Sequence, residues 1–120
     1  MNQQLEIHVV VDQERLQVMR LIGVLDASTA PIVMQRGIAC RAQGRNLVLN
    51  LSAVTFIASS GVGMLLGLVE EFRKGDTALR LAAASTPVRG ILNLLNIVPF
   101  LPMDADEQAA IAMATKPRAA

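Results

Sequence analysis

Two adjacent hydroxyls, Ser59 and Ser60, stand where an apolar extended run gives way to an apolar helical one. Leu47 to Leu51 and Val54 to Ile57 read as extended and buried, whereas Val62, Leu65, Leu66 and Val69 recur at helical spacing. The serines therefore fall at a strand-to-helix junction. The first backbone N–H groups of a helix lack intrahelical partners, and the helix dipole favours negative charge there. Two chemistries fit this placement. Ser59 can serve as a helix N-cap, its oxygen accepting from an N–H two or three residues on. Alternatively, an exposed hydroxyl at this point can carry a phosphate whose charge the helix start tolerates. Local pattern alone leaves both open.

Other chemistries find no residues to carry them. Cys40 and His8 are each the only residue of their type, which allows no internal disulfide and no cluster of soft metal ligands. His8 lies on an alternating strand and is expected to face outward, with no serine, cysteine or carboxylate partner arguable beside it. Of the acidic residues only Asp26 stands at a strand end, so a Mg²⁺-binding receiver cluster is not expected. Gly61-Val-Gly63 lacks the rest of a Walker pattern, and Ala58-Ser-Ser-Gly61 lacks the first glycine of a hydrolase elbow. The chain is read as a non-enzyme without cofactor or metal.

The elements that position the serines follow from periodicity and breakers. Leu5, Ile7, Val9 and Val11 alternate with Glu6, His8 and Val10, and Asp12 to Arg15 turns into a second strand, Leu16 to Ile22. After Gly23-Val-Leu-Asp26, Ser28 or Thr29 caps a helix that accommodates Pro31 in its first turn. That helix carries Val33, Met34, Gly37, Ile38 and Arg41 on one side and stops at Gly44. A central strand, Asn46 to Leu51, precedes the Ser59-led helix, which reaches Lys74. Gly75-Asp-Thr77 then turns into a third buried strand, Ala78 to Ala83. Ser85-Thr-Pro87 starts a helix with Val88, Ile91, Leu92 and Leu95 on one face, stopped by Pro99. Phe100 to Met103 is a short edge segment, and Asp104 caps a last helix through Met113. One domain over residues 1–113 and a disordered tail over 114–120 are expected. Strands alternating with helices give an α/β domain: a mixed sheet of four to five strands covered by about four α-helices.

Composition narrows the partners. Eleven basic and 10 acidic residues leave a net charge of +1 with no basic stripe, which argues against nucleic acid. With no Trp, no Tyr and three Phe, stacking platforms for single strands are missing as well. No secretory signal is visible, and the longest strongly apolar run, Val62 to Val69, is far short of the ~20 residues that span a bilayer. A soluble cytoplasmic protein without membrane insertion is expected. The 52% apolar share nonetheless leaves room for a sticky face that meets a partner.

Three ordered segments, Gly23 to Ala30, Leu47 to Gly67 and Ser85 to Asn96, resemble a STAS domain of the anti-sigma factor antagonist type, over about Leu5 to Ala112. In that family the serine after an aspartate, in an Asp-Ser-Ser-Gly pattern, is phosphorylated by an anti-sigma factor that is also a serine kinase. The resemblance gives Ser59 the phosphosite position, with Ser60 as second candidate. It gives Gly61 the family glycine and Asp26 the acidic residue ending the Gly-x-Leu-Asp motif. Ala58 replaces the family aspartate. Partner contacts are expected at Asp26, Ala58, Ser59, Ser60, Gly61, Val62 and Gly63. The partners implied are an anti-sigma factor kinase and a serine phosphatase, in a switch that releases a sigma factor. A binding subunit that never uses phosphate, for example in a lipid-transport ABC system, is the alternative, and a small-ligand sensor is a third class. The sequence leaves the oligomeric state open.

Overall fold

The period-two alternation at the N-terminus becomes an antiparallel pair, β1 (Leu5–Gln13) and β2 (Leu16–Leu25), joined by a tight polar turn. In the computed structural model, which describes residues 4–117, the chain continues through α1 (Ala30–Ala42), β3 (Asn46–Ile57), α2 (Ser59–Arg73) and β4 (Leu79–Ala82). It then passes α3 (Thr86–Leu94), a 3-10 turn over Val98–Phe100, β5 (Met103–Asp104) and α4 (Glu107–Ala114). The five strands lie in the order β1-β2-β3-β4-β5, with β1 antiparallel and every other pairing parallel. This is the mixed α/β sheet with four helices that the alternation predicts.

Side-chain alternation on the strands sorts the helices onto two faces. Met19 and Leu21 of β2 and Leu47, Leu49 and Leu51 of β3 share one core with α1, α2 and α3. Leu16, Val18, Val48 and Ala82 face the other way and meet Ala110 and Ala114 of α4. Leu65 and Leu68 of α2 are fully buried, each contributing about 1.5–3 kcal/mol by the area it removes from water. Small residues bring α1 and α2 together: a methyl at Gly37 would collide with Leu68, and one at Gly67 would crowd Met34. Cys40 is buried, and burial pushes its thiol up to about 11, so it packs as a small hydrophobe.

Several boundaries differ from expectation for identifiable reasons. β2 runs on to Leu25 because Gly23 adopts φ +123°, a conformation other residues rarely take, with the Gln4 carbonyl pressed where a side chain would start. β3 is one 12-residue strand with two irregularities against β2. At the first, the Asn50 side chain accepts from Ser52 N–H. At the second, between the Gly23 and Val24 pairings, Thr55 Oγ1 reaches the Gly23 carbonyl. That second shift turns Phe56, expected in the core, outward to 53% exposure while Val54 and Ile57 stay buried.

Helix α1 ends as expected at Gly44, which has φ +74°, with Arg45 N–H bonded to the Cys40 carbonyl. Helix α3 is stopped not by Pro99 but by Asn96 at φ +57°, with Ile97 N–H on the Leu92 carbonyl and Asn96 N–H on that of Asn93. Leu95 therefore leaves the buried face and is exposed. The cap of α4 is Asp106, whose carboxylate accepts from Ala109 N–H, and not Asp104. Asp104 belongs to β5, where Arg80 holds it at 2.7 Å. Ala114 is the last residue of α4 and is buried. Residues 118–120 of the expected tail lie outside the described residues.

Glu107, in the first turn of α4, ties that helix to the sheet through a two-pronged contact with Arg20 and a bond from Asn50 Nδ2. The hydrogen bond from Arg20 holds its carboxyl below the usual 4.5. A folded-state pKa below the unfolded one means that this stabilisation is complete above the unfolded value and fades as pH falls through the folded one. Urea midpoints measured between pH 7 and pH 3 should therefore fall less steeply in Glu107→Gln than in the wild type. Parallel curves would show that the pair contributes nothing to acid sensitivity.

Candidate functional site

The ends of β2 and β3 meet at one edge of the sheet, where Ala58 N–H donates to the Leu25 carbonyl at 2.8 Å. The chain turns there into α2. Ala58 is the N-cap residue, in extended conformation at φ −90° and ψ 172°, and its methyl supplies no acceptor for the first-turn amides. Ser59 is the first helical residue rather than the cap, so the N-cap reading of its hydroxyl does not hold. Ser59 is exposed and Ser60 half-buried, and neither hydroxyl engages another group among the described residues. From Ser52 to Val69 the sequence has no charged residue, so the end of β3 and the first turns of α2 carry no side-chain charge of their own.

Gly61 and Val62, expected among the contact residues, point the other way. A methyl on Gly61 would sit 2.8 Å from the Leu25 carbonyl and 2.8 Å from Ile57, so only a glycine lets α2 approach the strand ends this closely. Val62 is 6% exposed and belongs to the core. Both are buried, and their packing holds the head of α2, with Ser59, against the strand ends. Gly63 is exposed, with open space where a side chain would extend.

Asp26 closes the neighbouring corner between β2 and α1. Its Oδ1 accepts from Ser28 N–H at 2.9 Å, from Ser28 Oγ at 2.8 Å and from Thr29 N–H at 3.2 Å. The Ser28 hydroxyl bond is the main reason its carboxyl titrates below the usual range. Thr29 stands at the N-cap position of α1, yet its hydroxyl does not cap the helix. It donates to the Val24 carbonyl at 2.8 Å and accepts from Asp26 N–H. At 4% exposure Thr29 is part of the corner's interior. Sequence reasoning singled out Asp26 and missed this network, although an aspartate followed at the second and third positions by Ser and Thr is the signature of such a turn.

A shallow apolar groove joins the two corners, lined by Ala27, Ala30, Pro31, Met34, Ser60 and Met64. Of the expected contact residues, Asp26, Ala58, Ser59, Ser60 and Gly63 thus lie around one end of the sheet. The α1 residues that complete the groove were not foreseen, because only the helix pairing brings them there. No metal-binding cluster of His, Cys, Asp or Glu occurs among the described residues, and none of their helices is long and apolar enough to cross a membrane.

Comparison with known proteins agrees with this architecture. The STAS domain family model matches residues 8–110. An anti-sigma F factor antagonist from Lysinibacillus sphaericus is 32% identical over 96 residues, covering 78% of this chain and 81% of that protein. The anti-sigma factor antagonist SpoIIAA in its unphosphorylated form superposes with a TM-score of 0.73 at 23% identity, over 96% of this chain and 99% of that one. The Bacillus cell fate determinant SpoIIAA in its phosphorylated form gives 0.63 at 24% identity, over 91% and 97%. With the family model matched over most of the chain and a relative 32% identical across four fifths of its own length, the chain belongs to the STAS domain family, among the anti-sigma factor antagonists.

Proposed function

We propose that this protein binds an anti-sigma factor of the serine-kinase type through the surface around Ser59, and that phosphorylation of Ser59 breaks the complex. The observation that carries the reading is an exposed, unengaged Ser59 hydroxyl at the head of a helix with no side-chain cap, in a stretch with no charge. The unphosphorylated surface, formed by Ser59, Gly63, the apolar groove and Asp26 at its edge, docks on the partner. That docking stops the partner from holding its sigma factor. Phosphate brings roughly −1.5 to −2 charges into the contact. Desolvating that charge with no matched cation costs several kcal/mol, enough to weaken binding about a hundredfold or more. In the free protein the uncapped amides of α2 stabilise the phosphate, which favours release further. A serine phosphatase resets the switch, and the cycle runs in the cytosol.

Ala58 favours the second reading, a binding subunit that works without phosphate, because the aspartate beside the acceptor serine is missing. Pull-down from the native cytosol with the full chain as bait, with the partners identified by mass spectrometry and mixed back as purified proteins, separates the two. A histidine-kinase-like ATPase that rebinds the pure chain is the expected result. Recovery of ABC-transporter subunits alone would overturn the switch.

A further inference from the structure

We propose that Ser28 is a second phosphoryl acceptor, at the same end of the sheet as Ser59. This rests on the reading above, in which a kinase using a nucleoside triphosphate docks at that end. Ser28 is exposed, and its Oγ lies 2.8 Å from Asp26 Oδ1 and 2.8 Å from Gln4 Oε1. Its single proton goes preferentially to the carboxylate, the stronger acceptor. Ser28 therefore has a carboxylate aligned on its hydroxyl, the arrangement that Ala58 denies to Ser59. Thr29, next in the chain, is buried with its hydroxyl committed to Val24 and Asp26, so it does not compete. Ala27, beside Ser28, and Ser60, beside Ser59, line the same groove. A partner seated on that groove covers both corners.

The step balances without further reactants. Ser28 Oγ attacks the γ-phosphorus of the nucleoside triphosphate, and the Oγ–P bond forms as the bond to the β,γ-bridging oxygen breaks. The nucleoside diphosphate leaves with that electron pair, and the hydroxyl proton passes to the Asp26 carboxylate, which then releases it to solvent and is an anion again. Little proton transfer is needed before the transition state of such a reaction, so a carboxylate of low basicity suffices. The product has no hydroxyl proton left for Asp26 and places a second anion against it. The corner that joins the start of β1, the end of β2 and the head of α1 is then pushed open by like-charge repulsion. Phosphate at Ser28 would alter the shape of the docking surface, whereas phosphate at Ser59 alters its charge.

Trypsin separates the two sites. Cleavage after Arg20 and Arg36 yields residues 21–36, whose hydroxyls are Ser28 and Thr29, and cleavage after Arg45 and Arg73 yields residues 46–73 with Ser59. The full chain, its Ser59→Ala variant and its Ser28→Ala variant are incubated with ATP and the kinase recovered as partner, then mapped by fragment-ion mass spectrometry. Phosphate on Ser28 in both the wild type and Ser59→Ala, absent from Ser28→Ala, is the expected result. Ser28→Thr keeps the hydroxyl and should regain label on 21–36. Label confined to 46–73 overturns the Ser28 assignment and leaves the Ser59 reading standing. Label on Thr29 also overturns it, and label on neither peptide overturns both.

Discussion

Ser59→Asp and Ser59→Glu should leave the fold intact yet weaken the complex with the anti-sigma factor about tenfold, while Ser59→Ala binds at least as tightly as the wild type. The position makes this a clean experiment. Ser59 is the first helical residue of α2 and its hydroxyl bonds to nothing among the described residues, so truncation removes no hydrogen bond among them. A carboxylate in the first turn is favoured by the helix dipole, so the acidic variants should melt no lower than the wild type. Any loss of affinity then belongs to the interface. The mimic brings one charge where phosphate brings up to two, which is why its effect should fall below the roughly hundredfold expected of the phosphoprotein. Titration calorimetry on the three variants and the phosphorylated wild type gives the series directly. Equal affinities for Ser59→Asp and Ser59→Ala would remove charge as the basis of the switch.

Much of the fold that frames this position is legible in the sequence because it is locally encoded. Gly44 stops α1 through its own left-handed conformation, and Ser85 caps α3 with an oxygen that accepts from Val88 N–H. Both signals lie within a few residues of their effect. What local pattern misses depends on partners distant in sequence. Phe56 alternates as a core residue until the irregular pairing with β2 turns it outward, and that pairing is set by Gly23, more than thirty residues away. Asp104 looks like a helix cap until Arg80 claims it for the sheet, leaving Asp106 to do the capping. The site divides the same way. The exposure of Ser59 follows from its place between two periodicities, but the inward direction of Gly61 and Val62 follows from how closely α2 sits on Leu25 and Ile57. Likewise, Ser28 gains its interest only once Asp26 and Gln4 are seen around it.

Ala58→Asp should raise both the stability of the protein and the rate at which Ser59 is phosphorylated. Ala58 is the N-cap of α2, in the extended conformation an aspartate needs to accept from the first-turn amides. Supplying that missing oxygen is worth about 1 kcal/mol, visible as a higher urea midpoint. The rate argument is separate. A carboxylate next to the acceptor hydroxyl can orient it or engage the kinase, and a gain of about tenfold corresponds to roughly 1.4 kcal/mol of transition-state stabilisation, a reasonable size for one positioned group. Opposing it, a capping carboxylate occupies amides that would otherwise receive the phosphate and adds a negative charge beside it. The two measurements pull these apart: a higher midpoint with slower incorporation into residues 46–73 would show that repulsion outweighs orientation and that the kinase is matched to alanine. A higher midpoint with faster incorporation would make Ala58 the brake on this switch. No incorporation at Ser59 in either protein, with the partner still bound, would identify a STAS module that works by binding alone.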